Sequence, residues 1–103
     1  MKLDAEGSEL AVLQGAQTAL GQFQPIIVIE INGIVLNQGG ISSAQVVDFL
    51  RQRRYRLFSI TFRRLQDWNI ARHGHFSDTL CLPENRLASG LERLRRAGFD
   101  LCD

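Results

Sequence analysis

Six consecutive residues, Ile26-Ile27-Val28-Ile29-Glu30-Ile31, set between Pro25 and Asn32-Gly33, constrain this chain more than any other stretch. β-Branched side chains favour extended backbone, and a run with only Glu30 as a polar member has no continuous face to give to water. Such a run is expected to form a strand covered on both faces, as in a parallel sheet packed between helices. The length of 103 residues, with 45% hydrophobic and 22% charged content, allows one domain with one core around that strand. The wider apolar stretch over 26–36 is too short to span a bilayer and is interrupted by Glu30.

The flanking elements follow from periodicity. Residues 1–7 read as the end of a strand running into a turn, with Gly7 suited to the backbone bend and Ser8 available as a helix cap. Leu10, Leu13 and Leu20, widened by Val12 and Ala16, predict a helix over 8–20 that Gly21 and Pro25 bring to a stop. Asn32-Gly33 and Gly39-Gly40 mark a loop. Ser42 and Gln45 form a capping-box pattern for a helix over 43–53. Alternation predicts strands over 55–62 and 76–82, paired as an antiparallel hairpin with a long polar connection through Trp68, which is read as a loop anchor. Leu87, Leu91 and Leu94 predict a last helix over 86–97, stopped by Gly98 and followed by a tail. The order is strand, helix, strand, helix, strand, strand, helix, an α/β arrangement without repeat or linker.

The charge is uneven. Asp4, Glu6, Glu9, Glu30 and Asp48 against Lys2 leave the first 50 residues strongly negative, whereas eleven arginines against six acids make the remainder positive, for a net +1. The two halves have complementary fields that self-association could use. Arg51, Arg53, Arg54, Arg56, Arg63 and Arg64 lack interleaved aromatic platforms and read as a solvated surface, so no nucleic-acid partner is expected. His73-Gly74-His75 offers too few ligands for a metal, and none is expected. Cys81 and Cys102 show no C-x-x-C spacing, and Met1-Lys2-Leu3-Asp4 has no apolar leader core, so a reduced cytoplasmic setting is the default, with no membrane partner.

Three acids, Asp4, Glu6 and Glu9, gather at one strand-to-helix turn. Acids at such a turn offset the helix dipole, and Glu9 is the one most simply explained that way. Asp4 and Glu6 are less easily explained so. At the carboxyl end of a parallel strand they would hold an acceptor hydroxyl, remove its proton, or attract the positive charge of a methyl donor.

The string Lys2-Leu3-Asp4-Ala5-Glu6-Gly7-Ser8-Glu9-Leu10, with Val12-Leu13-Gln14-Gly15-Ala16 and then Pro25-Ile26-Ile27-Val28-Ile29-Glu30-Ile31, resembles the pattern of FkbM-type methyltransferases. The resemblance covers residues 1–84. It implies an α/β fold, the C-terminal half of a class I methyltransferase (Rossmann-like) sheet, with about four strands, the last antiparallel, and three helices. Residues 1–5, 26–32, 55–62 and 76–82 would be the fourth to seventh strands of that sheet. The whole chain would be one partial domain, with 86–103 a C-terminal helix and tail. The family implies methyl transfer from S-adenosylmethionine to a sugar or natural-product hydroxyl. Carried over, Asp4 and Glu6 would be catalytic, and Gly7, Glu9 and Glu30 would bind substrate. The first three strands and their glycine-rich donor turn have no counterpart, and Gly39-Gly40 lacks the G-x-G pattern to replace them. Donor binding by this chain alone is therefore not expected. The open edge of the strand at 1–5 would favour a homo-oligomer.

Overall fold

The computed structural model of the chain describes every residue except Ala5 and Asp103. Its elements run β1 (Lys2–Leu3), α1 (Glu9–Gly15), α2 (Gln17–Phe23), β2 (Ile27–Asn32), α3 (Gly33–Gln38), α4 (Ser43–Gln52), β3 (Tyr55–Thr61), β4 (Arg64–Asp67), α5 (Ile70–His73), β5 (Phe76–Pro83), a 3₁₀ turn at Glu84–Arg86, α6 (Leu87–Arg96) and β6 (Asp100–Cys102). The strands form one mixed sheet in the order β1-β2-β5-β3-β4-β6. β1 runs parallel to β2, β5 is antiparallel to both β2 and β3, and β6 runs parallel to β4.

The α/β class and the antiparallel placement of the strand at 76–83 agree with expectation, but six strands and six helices replace the expected four and three. The predicted single helix over 8–20 divides at Ala16 into two seven-residue helices. The second reaches Phe23 and ends at Gln24 in the left-handed conformation, just before Pro25. Asn32-Gly33 opens α3 instead of a loop, because the Asn32 side chain accepts hydrogen bonds from the Ile34 and Val35 amides. In the stretch expected to be irregular, residues 64–67 pair back on β3 through a tight hairpin, and Asn69 caps the short α5. The expected tail is β6. Gly98 turns the chain at φ +94°, with Phe99 donating to the Leu94 carbonyl and Gly98 to that of Arg95, which aims the backbone along β4.

The alternating pattern of β2 settles what covers each face of the sheet. Ile27, Ile29 and Ile31 are fully buried against Leu13, Leu20, Leu36, Val46 and Leu50 of the helices. The capping box at Ser42 and Gln45 is formed as expected and starts α4 on this face. Val28 lies on the opposite face beside Leu80, Leu82 and Phe58, and there α6 supplies cover through Leu87, Leu91 and Leu94, joined by Phe99 just after it. Gly90 permits the close approach of α6, since a Cβ there would stand 3.3 Å from Leu82. One face of the sheet is thus closed along its length and the other at one end.

Candidate functional site at the open end of the sheet

β1 and β2 are parallel, and their carboxyl ends lie together. Open α/β sheets bind ligands outside the carboxyl ends of their strands. The acidic turn that follows β1 is therefore in the expected place. Its backbone is unusual: Glu6 has φ +47° and Gly7 φ +99°. A side chain at Gly7 would also bring its Cβ to 2.9 Å from Cγ1 of Val35 on α3, so glycine is required by conformation and by space together.

Glu9 stands in the first turn of α1, as a helix-start acid would, but it is not only that. It is 3% exposed, and its carboxylate accepts the Gly7 amide proton at 2.9 Å. Ser8 occupies the cap position but makes no side-chain capping bond. Glu9 thus braces the turn from below, while Asp4 and Glu6 remain exposed above it.

Glu30 lies on the half-open face. By strand alternation it shares that face with Val28, and its direct cross-strand partner on β5 is Asp78. Burial pushes the Glu30 carboxyl up from its ordinary 4.5, and the charges of Asp4, Asp78, Glu9 and Glu6 push it further in the same direction. Asp4, Glu6 and Glu9 are therefore all brought within electrostatic reach of Glu30. Asp78 joins them unannounced, because its place depends on strand register, which no local pattern in β5 encodes. Among the described residues, no group of three or more histidine, cysteine, aspartate or glutamate side chains is placed to hold a metal ion. An array of this kind can accept protons and hydroxyl hydrogens and favours positive charge nearby.

The other candidate residues have structural partners. His73 is buried, its Nδ1 accepts the Asn69 amide at 2.9 Å, and its Nε2 faces Gln66 Oε1 at 3.4 Å. That pattern fixes the neutral tautomer with the proton on Nε2. Burial pushes its pKa below 6.5, and the nearby Arg72 adds to the effect. Trp68 is buried in the larger core cluster, with its backbone amide bonded to the Leu57 carbonyl. Arg56 pairs with Asp67 at 2.9 Å, and Arg95 and Arg96 lie beside Glu92.

Gly39-Gly40 does not have the placement of a donor-cradling turn. Gly39 caps α3 and Gly40, at φ +77°, leads toward α4, so the glycine pair joins two helices and does not follow a strand. Among the described residues no helix is long and apolar enough to cross a membrane.

An open α/β sheet with an acidic strand-to-helix turn at the carboxyl ends of its parallel strands is the kind of scaffold on which group-transfer enzymes are built. The Methyltransferase FkbM domain matches residues 1–57, more than half of the 103-residue chain, and the chain belongs to that family. No curated protein and no solved structure matches it. The match takes in the acidic turn, β2 and α4 and ends within β3.

Proposed function

We propose that this chain is the acceptor-side half of an FkbM-type O-methyltransferase, a fragment or truncated relative inactive until a donor-binding half completes it. The completed enzyme would move a methyl group from S-adenosylmethionine to a sugar or natural-product hydroxyl. The observation that carries this reading is the convergence of Asp4, Glu6, Glu9 and Glu30 at the carboxyl ends of β1 and β2, inside the region that matches the family. In this reading Asp4 and Glu6 hold the acceptor hydroxyl and take up its proton. Gly7 shapes the turn, Glu9 fixes it, and Glu30 lines the acceptor side. Donor binding falls to residues outside this chain, in keeping with the placement of Gly39-Gly40 between helices.

Calorimetric titration of S-adenosylmethionine into the chain is expected to give no micromolar binding. A clear micromolar isotherm would overturn the division of labour between the halves. Reading the coding sequence upstream of the Met1 codon is the complementary test, with an in-frame glycine-rich strand-turn as the expected finding.

A second, non-catalytic reading is self-association through β1. That strand is the last in the sheet order, and its outer edge pairs with no other strand among the described residues. Sedimentation across a range of concentrations is expected to show a concentration-dependent dimer. A strictly monomeric species would remove this reading.

A further inference from the structure

On the far side of α3 from the acidic turn lies an open groove of about 520 Å³, walled by α3, the first turn of α4, and the segment linking α5 to β5. Val35 packs toward Gly7, whereas Ile34, Asn37 and Gln38 of the same helix line the groove. α3 is therefore a shared wall between the acidic turn and this concavity. The size is within the range of small-molecule sites, roughly 300–1,000 Å³.

The groove is built on a close backbone contact. The Gly33 amide donates to the His75 carbonyl at 2.8 Å, and a Cβ on Gly33 would stand 2.3 Å from the Gly74 carbonyl oxygen. Ser43 Oγ donates to that same oxygen at 2.6 Å. The segment His73-Gly74-His75 thus serves as a wall clamped to α3 and α4, with the backbone frame of the groove set before any ligand arrives.

Its chemistry is selective. In a chain with 22% charged residues, no aspartate, glutamate, lysine or arginine lines this groove. Ile34 and Ile70 are 64% and 54% exposed in it, and Asn37 and Gln38 bring amides that both donate and accept. A cation entering here would lose hydration without gaining a counter-charge, and an anion would have only His75 and the first turn of α4 to set against that loss, with the acids across α3 repelling it. A neutral molecule with hydroxyls along one side and an apolar C–H face on the other would satisfy both the amides and the isoleucines.

We propose that this groove binds the uncharged, hydroxyl-bearing part of the acceptor and discriminates against phosphorylated or carboxylated counterparts. The inference rests on the methyltransferase reading for the word acceptor, but the binding itself requires neither donor nor transfer.

The test is a nuclear magnetic resonance titration of the full chain with methyl α-glucopyranoside, run in parallel with glucose 6-phosphate. The neutral glycoside is expected to give saturable shifts of the Asn37 and Gln38 side-chain amides and of the Ser43 and Ala44 backbone amides. Binding of the phosphorylated sugar is expected to be at least about tenfold weaker, equivalent to about 1.4 kcal/mol. Asn37→Ala, at an exposed position that leaves the fold intact, is expected to weaken the glycoside about tenfold, as for loss of a ligand hydrogen bond. Absence of saturable shifts, shifts centred on the acidic turn, or equal binding of the phosphate would each overturn the proposal. Glycoside binding in the groove without methyl transfer by a completed enzyme would count against the functional reading alone. Transfer to a neutral glycoside that leaves the groove resonances unmoved would count against the groove alone.

Discussion

The two faces of the sheet are built from neighbouring residues of the same strands, yet they have opposite fates. One face carries Ile27, Ile29 and Ile31 with Leu57 and Cys81 beneath α1, α2 and α4, and is closed to water along its length. The other carries Val28, Phe58, Leu80 and Leu82 beneath α6 at one end, then Glu30 and Asp78 at the end α6 does not reach. The larger of the two buried clusters lies on the first face. The second keeps its acids together against mutual repulsion, an arrangement that packing alone does not call for. Such local conflict with otherwise consistent folding rules is where function is to be sought.

The largest expected effect tests whether stability is divided in this way. Leu13→Ala on the closed face removes a fully buried side chain and is expected to destabilise by about 3 kcal/mol, lowering Tm by roughly 15 °C. Leu91→Ala beneath the half-open face, where Leu91 is only partly buried, is expected to lose about half as much. Urea denaturation of both variants measures the ratio. Equal losses would break the comparison.

The acidic turn at the open end gives the next effect. Gly7→Ala places a Cβ at φ +99° and against Val35, and is expected to destabilise by about 1–2 kcal/mol. The equivalent change at Gly15, where an added Cβ meets nothing within 4 Å and the residue is helical, is expected to stabilise by about 0.5–1 kcal/mol. A neutral Gly7→Ala would show that the turn is not held in the conformation that presents Asp4 and Glu6. Thermal melts of the two alanine variants separate these outcomes.

How much of this was legible in the sequence follows the same divide. The closed face was legible because its signals are local: the β-branched run of β2, the Ser42-Gln45 box, and the helical spacing of Leu10, Leu13 and Leu20. The acidic turn was visible for the same reason, since strand, glycine and helix follow one another directly. What escaped depends on partners distant in sequence. β4 and β6 are short and polar, and exist because a hairpin and a helix-ending glycine deliver them to a sheet edge. Asp78 enters the acid cluster only through its register against Glu30. α3 is the instructive intermediate, because Asn32-Gly33 reads as a loop signal, whereas the Asn32 side chain in fact caps a helix. Its first residue, Gly33, is also held by the His75 carbonyl and the close passage of Gly74, about forty residues away in sequence and outside any local window.

The smallest effects come from protons, and there the two regions should respond with opposite sign. His73, packed beside Trp68 at the edge of the closed core, has its pKa lowered on folding, so the unfolded chain binds its proton more readily. Its contribution is fully present above about pH 6.5 and is lost as the pH falls through the lowered folded-state value. Glu30 has its pKa raised, so the folded chain holds that proton more tightly. Its ionisation burdens the fold above the raised value, and the burden is relieved as the pH falls through that value toward 4.5. Glu30→Gln, which removes a like-charge pair directly opposite Asp78, is expected to stabilise at neutral pH by about 0.5 kcal/mol, or roughly 2–4 °C in Tm. The gain should shrink on acidification, whereas His73→Gln should flatten the loss of stability below pH 6.5. Melting curves of the two variants against the parent between pH 4.5 and 7.5 carry the decision. If Glu30→Gln gains nothing at neutral pH, the charge of Glu30 does not burden the fold, and the contrast between the two regions fails at this point.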